Sequence, residues 1–140
     1  MNTAFIVTGI SLAAIVFLFL RARAKMKNIP LVQDHEKILT LTEANFQHQT
    51  KNKLILVDFW AGWCAPCRVM GPVLNDVADR LTGNSHVGKV NIEQYQSLAQ
   101  KFKVRSIPTL ILLKNGIEVK RFVGMKDRDF LIHQITSIKS

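Results

Sequence analysis

The run of apolar and polar positions divides the chain in two. From Thr3 to Leu20 no position is charged, and a helix of that length rises about 27 Å, close to the about 30 Å of a bilayer's hydrocarbon core. Arg21, Arg23, Lys25 and Lys27 follow at once, with stems that can lie along apolar surface while their charges reach headgroups. The pattern predicts a retained membrane anchor over residues 1–24. A cleaved leader would carry positive charge ahead of its apolar run, and Met1, Asn2 and Thr3 offer only the terminal amine. Positive charge on the C-terminal flank alone predicts, by the positive-inside rule, a single-pass protein whose following domain is cytoplasmic. Residues 25–36 mix Asn28, Pro30 and Gln33 with isolated apolar positions and read as a linker.

From residue 37 to 140 strand-like and helix-like periods alternate. Ile38–Leu41 is a short strand candidate, and Thr42 is placed to cap a helix over Glu43–Gln49. Leu54 to Phe59 is a near-continuous apolar run of the kind buried on both faces of a central strand. Met70, Val73, Leu74, Val77, Ala78 and Leu81 then recur at helical spacing up to Gly83 and Asn84. His86–Ile92 reads as a strand and Gln94–Phe102 as a helix. Thr109–Leu113 and Ile117–Val123 flank Asn115-Gly116, a strong hairpin signal. A last helix starts near Asp127. The order βαβαβαββα predicts an α/β domain with a mixed central sheet and helices on both faces.

Composition narrows the function. The formal charge is +9, but four of the positives are the cluster at Arg21–Lys27 and the remainder are scattered. That distribution lacks the basic face with interleaved aromatics of a nucleic-acid binder, so no nucleic-acid partner is expected. The chain has two cysteines, Cys64 and Cys67. A bridge across so short a loop removes little chain entropy, which makes the pair chemical rather than structural.

Cys64 falls where the apolar strand gives way to a helix. Unpaired N–H groups and the positive end of the helix dipole stabilise a thiolate there. Cys67 is one helical turn on, within reach to close a disulfide or to attack a mixed disulfide at Cys64. Pro66 in the first turn costs no helical hydrogen bond and stiffens the motif. Zinc would need two more ligands, and His35, His48, His86 and His133 are widely separated with no paired spacing, so no metal is expected. A c-type haem site would need His after the second cysteine, where Arg68 stands. Flavin and nicotinamide motifs are absent, so no bound cofactor is expected.

The stretches VDFWAGWCAPC, GKVNIE, SIPT, LLKNG and FVG, in this order and spacing, resemble the thioredoxin family. The likeness is closest from Leu54 to Gly124 and extends more weakly from about Lys37 to the C-terminus. It implies a thioredoxin fold and protein-disulfide reductase activity, with Cys64 as the partly exposed attacking thiol and Cys67 as the buried resolving thiol. Asp58 would take up the proton of Cys67. Its strand parity with Leu54 and Leu56 supports a buried setting, where an unpaired carboxylate is costly enough to need a reason. Lys89 would tune Asp58 as a nearby charge. Ile107, Pro108 and Thr109 would form the loop opposite the cysteines, with Pro108 in a cis peptide bond. Trp60, Trp63, Ala65, Pro66, Gly124 and Met125 would complete the surface that docks protein substrates. Ala65 departs from the family's usual glycine between the cysteines, a change that bears on redox poise.

The resemblance also implies partners: disulfide-containing proteins as substrates, and thioredoxin reductase or a membrane electron donor as the source of electrons. With the N-terminal helix in lipid, the reading is a membrane-tethered reductase. Its alternatives are an outward-facing thiol reductase of secreted-protein or cytochrome maturation, and a thioredoxin-fold interaction module.

Overall fold

In the computed structural model, backbone is described for residues 3–27 and 29–139 and side chains for residues 12–25 and 29–138. The chain separates into two compact units, Met1–Pro30 and Leu31–Ser140. The first carries helix α1, Thr3–Lys27. Met1 and Asn2, the neutral flank of the expected anchor, lie outside the described residues, as do the side chains of residues 3–11.

The expectation of a single-pass membrane protein with a cytoplasmic catalytic domain is overturned. Among the described residues no helix is long and apolar enough to cross a membrane. The last turns of α1 carry Arg21, Arg23, Lys25 and Lys27, and charge there takes those turns out of any apolar span. The lipid partner expected from such an anchor is left without support.

The second unit is a three-layer α/β domain. Its strands are β1 (Ile38–Thr40), β2 (Leu54–Trp60), β3 (Ser85–Asn91), β4 (Thr109–Lys114) and β5 (Ile117–Val123). They form one sheet in the order β1-β3-β2-β4-β5. β1 and β2 run parallel to β3, whereas β4 is antiparallel to β2 and to β5. The sheet is therefore mixed, as the alternating pattern predicts. Asn115 and Gly116 turn the β4–β5 hairpin with φ of 55° and 77°, the left-handed values a two-residue turn demands.

Central strand β2 feeds both layers because successive side chains point to opposite faces. Leu54 and Leu56 join Met70, Leu74 and Val77 of α3 (Ala65–Arg80) and Leu131 and Ile135 of α5 (Arg128–Lys139). Ile55, Val57 and Phe59 face α2 (Phe46–Thr50) and α4 (Gln96–Lys101), meeting Phe46 and Leu98. Helix α2 starts after its predicted beginning, because Thr42 and Asn45 bond reciprocally: the Asn45 N–H donates to Thr42 Oγ1 and the Thr42 N–H to Asn45 Oδ1. The exchange makes a turn ahead of the helix.

The segment before β1 makes specific bonds to α3. The His35 N–H donates to Asn75 Oδ1 at 2.8 Å, Asn75 Nδ2 donates to the Gln33 carbonyl at 2.9 Å, and Lys37 Nζ donates to the Asp79 carbonyl at 3.1 Å. Linker-like composition concealed these bonds, since none of them follows from an apolar period.

Candidate active site

The buried strand β2 ends at Trp60 and α3 opens at Ala65, leaving four residues to turn the chain. Cys64 is the cap of α3, with extended backbone at φ −81° and ψ 105°. Its Sγ accepts a hydrogen bond from the Cys67 N–H at 3.2 Å, so sulfur occupies the position that a serine or aspartate oxygen commonly fills at a helix start. That placement favours a thiolate when the pair is reduced. Here the two sulfurs are joined, with Cα atoms 5.3 Å apart.

Cys64 is 4% and Cys67 5% exposed. In this disulfide the first cysteine is thus no more open than the second, contrary to the partly exposed thiol implied by the resemblance. The bond draws both sulfurs into a small apolar cluster with Ala61, over which Trp60, Ile92 and Ile107 pack.

The turn is braced from both sides. Arg68, on the first turns of α3, donates from Nε and Nη2 to the Gly62 carbonyl at 2.9 and 2.6 Å. Glu93 Oε2 accepts from the Gly62 N–H at 3.3 Å. Sequence reading passed over both residues, since neither carries motif chemistry. Beside the brace, Trp63 stands 67% exposed. With Ile92, Val104 and Ile107 it lines an open groove of about 280 Å³.

The facing loop is placed by β4 and β5. The Ile107–Pro108 bond is cis, as the resemblance implies. The Pro108 carbonyl accepts from the Gly124 N–H at 2.9 Å, and Gly124 sits at φ 79°, a conformation that favours glycine. Thr109 is buried with its Oγ1 donating to the Ser106 carbonyl at 2.7 Å. Met125 is 53% exposed. Ala65 is half-buried and Pro66 exposed on the first turn of α3. The structure therefore gathers Trp60, Cys64, Cys67 and Ile107 into one cluster and ties Gly124 to Pro108. Met125 and Pro66 lie on the surface without a described contact to the sulfurs.

Asp58 lies on the α3 side of β2, the row that begins with Leu54 and Leu56. It is 1% exposed and its Oδ1 has no hydrogen-bond partner among the described residues. Burial raises its pKa from 3.8 to about 7, with Lys89 working against the rise and Asp34 reinforcing it. Lys89 is its register partner on β3 and is 7% exposed. Its ammonium, however, bonds Asp34 Oδ1 at 2.6 Å and lies 4.4 Å from the centre of the Trp60 ring. Asp34 falls in the segment whose composition reads as a linker.

A helix-capping disulfide with a strongly perturbed carboxylate on the neighbouring strand defines a class, the dithiol–disulfide oxidoreductases. The family model for thioredoxin matches residues 37–137. Among curated relatives, thioredoxin of Alicyclobacillus acidocaldarius is 42% identical over 101 residues, covering 71% of this chain and 96% of that one. Thioredoxin of Chlamydia pneumoniae is 44% identical over 95 residues, covering 68% and 92%. Among solved structures, a mutant thioredoxin from Halobacterium salinarum superposes with a TM-score of 0.69 at 31% identity, covering 78% of this chain and 96% of that one. The chain belongs to the thioredoxin family, and it is a thioredoxin-type disulfide oxidoreductase. The family match begins only at residue 37, after α1.

Proposed function

We propose that this chain works in the reducing direction on disulfide-containing proteins, with residues 37–140 as the catalytic domain and Cys64 as the nucleophile. The Cys64 thiolate attacks one sulfur of a substrate disulfide. A mixed disulfide forms, the substrate's S–S bond breaks, and its other sulfur leaves as a thiolate that takes a proton from water. Cys67 then gives its proton to Asp58 and attacks Cys64 Sγ. The Cys64–Cys67 bond forms, the second substrate sulfur leaves, the substrate has gained two electrons and the enzyme has lost them. Trp63, Ile107, Pro108, Thr109, Gly124 and Met125 bound the docking surface around the sulfurs, with Trp60, Ala65 and Pro66 shaping its floor. Re-reduction comes from an external reductase of the thioredoxin-reductase kind.

The observation that carries this reading is Asp58: a carboxyl 1% exposed, lacking a partner at Oδ1 among the described residues and with a pKa of about 7, on the face covered by the helix that bears Cys67. A buried carboxylate in that state is poised to accept a thiol proton near neutrality. The test is stopped-flow reaction of the reduced protein with 5,5′-dithiobis(2-nitrobenzoic acid), which releases one coloured thiolate on attack by Cys64 and a second on resolution by Cys67. The second phase is expected to rise through an inflection near pH 7, and Asp58→Asn to slow it about 100-fold at pH 8 and to remove the inflection. An unchanged second phase in Asp58→Asn would remove Asp58 from the mechanism.

A further inference from the structure

Lys89 and Asp58 are register partners on adjacent parallel strands and share the α3 face, yet the ammonium of Lys89 is taken up elsewhere. Its Nζ is bound by Asp34 at 2.6 Å and lies against Trp60 at 4.4 Å, while Asp58 Oδ1 has no partner among the described residues. Asp34 does not reach Lys89 by chance of a free tail. The residues on either side are fixed to α3 through Asn75, which accepts from the His35 N–H and donates to the Gln33 carbonyl. Lys37 and His35 also approach Asp79, at 3.7 Å each. The Asp34 side chain is 38% exposed and Lys89 only 7%, so the bond joins a partly exposed carboxylate to a buried ammonium on the strand next to Asp58.

We infer that Asp34 is a positioning residue for the dithiol chemistry: strapped to α3 by Asn75, it holds the Lys89 ammonium and thereby keeps that cation from fully compensating Asp58, which stays ready to take a proton. The inference rests on the proton-acceptor reading of Asp58. Two electrostatic effects act in the same direction. A carboxylate at Asp34 disfavours a second negative charge at Asp58, and it neutralises the cation that would otherwise favour one. The charged groups bearing on Asp58 are Lys89 from β3 and Asp34 from the segment before β1. Helix α3, which covers this face, carries Cys67 near its start, and β4 contributes Leu110 at the paired position, which carries no charge. Asp34 precedes residue 37, where the match to the family model begins.

The experiment is a carbon-13 NMR titration of the Asp58 carboxyl in the full oxidised chain, comparing wild type, Asp34→Asn and Asp34→Glu. Asparagine keeps the shape of Asp34 without its charge, and the fold is monitored by amide spectra. The expected result is a midpoint lowered by about one pH unit in Asp34→Asn, with much of the shift reversed in Asp34→Glu. The inflection of the second stopped-flow phase should move down with it. A midpoint in Asp34→Asn equal to that of wild type overturns the inference. That failure is distinguishable from failure of the underlying reading, which would appear as a second phase unaltered in Asp58→Asn.

Discussion

Strand β2 presents two rows of side chains that meet very different neighbours. Ile55, Val57 and Phe59 form an uninterrupted apolar row, each 0% exposed, against α2 and α4. Leu54 and Leu56 begin an equally apolar row against α3 and α5, but the third member is Asp58. One face of the strand is thus devoted to stability, and the other gives up its third position, between Leu56 and Trp60 and under the helix that carries the redox pair, to a carboxylate that lowers stability. Chemistry in such a sheet sits at the position where a row that should be apolar is not.

The comparison predicts opposite signs for substitutions at adjacent residues. Phe59→Ala removes a fully buried ring that packs against Phe102 with centroids 5.7 Å apart. It should destabilise the domain by about 3–5 kcal/mol in urea unfolding of the oxidised protein, at pH 5 and pH 8 alike. A cost that varied strongly with pH would show that the two rows are not independent.

Asp58→Asn should do the reverse. The folded carboxyl has a pKa of about 7 against an ordinary value of 3.8. Between those limits the native state holds a proton that the unfolded chain has released, so stability declines as pH rises through the window. Below about pH 4 both states are protonated and nothing is lost, whereas above about pH 7 the native state bears the full cost of a buried charge. Asparagine removes that cost. It should stabilise the oxidised protein by up to about 4 kcal/mol at pH 8 and by little at pH 4, measured by urea unfolding at each pH. A stability gain equal at both pH values would mean that Asp58 is not ionising in the buried state.

The same two rows show why part of the molecule was legible and part was not. Parity along Leu54–Phe59 placed Asp58 inside, because an alternating pattern fixes direction without any tertiary knowledge. The cysteine spacing located the helix start, and the motif order gave the loop with the cis Pro108. Asp34 was missed because its role is made by long-range bonds, to Lys89 and through its neighbours to Asn75, and a polar segment without period carries no sign of them. Arg68 and Glu93 were missed for the related reason that they serve the backbone of Gly62, and backbone partners leave no trace in a side-chain pattern. The apolar run at the N-terminus erred the other way: hydropathy and flanking charge signalled a membrane span, whereas among the described residues no helix is long and apolar enough to make one.

The smallest effect tests whether the apolar face tolerates any added volume. Gly88 on β3 pairs with Val57, and a Cβ there would lie 2.6 Å from Leu41 Cδ1 and 3.0 Å from Ile55 Cδ1. Both are ends of side chains, but both residues are 0% exposed and have little room to turn aside. Gly88→Ala should therefore destabilise by about 1–3 kcal/mol. If crowding is the cause, Leu41→Val in the same chain should recover part of the loss, giving a double-mutant coupling of about 0.5 kcal/mol or more. Simple additivity would instead point to the backbone of β3. The second stopped-flow phase should be unchanged in Gly88→Ala, because the crowding falls on the face away from Asp58. A slowed phase would show that packing strain crosses the sheet and that stability and chemistry are not divided between its two faces.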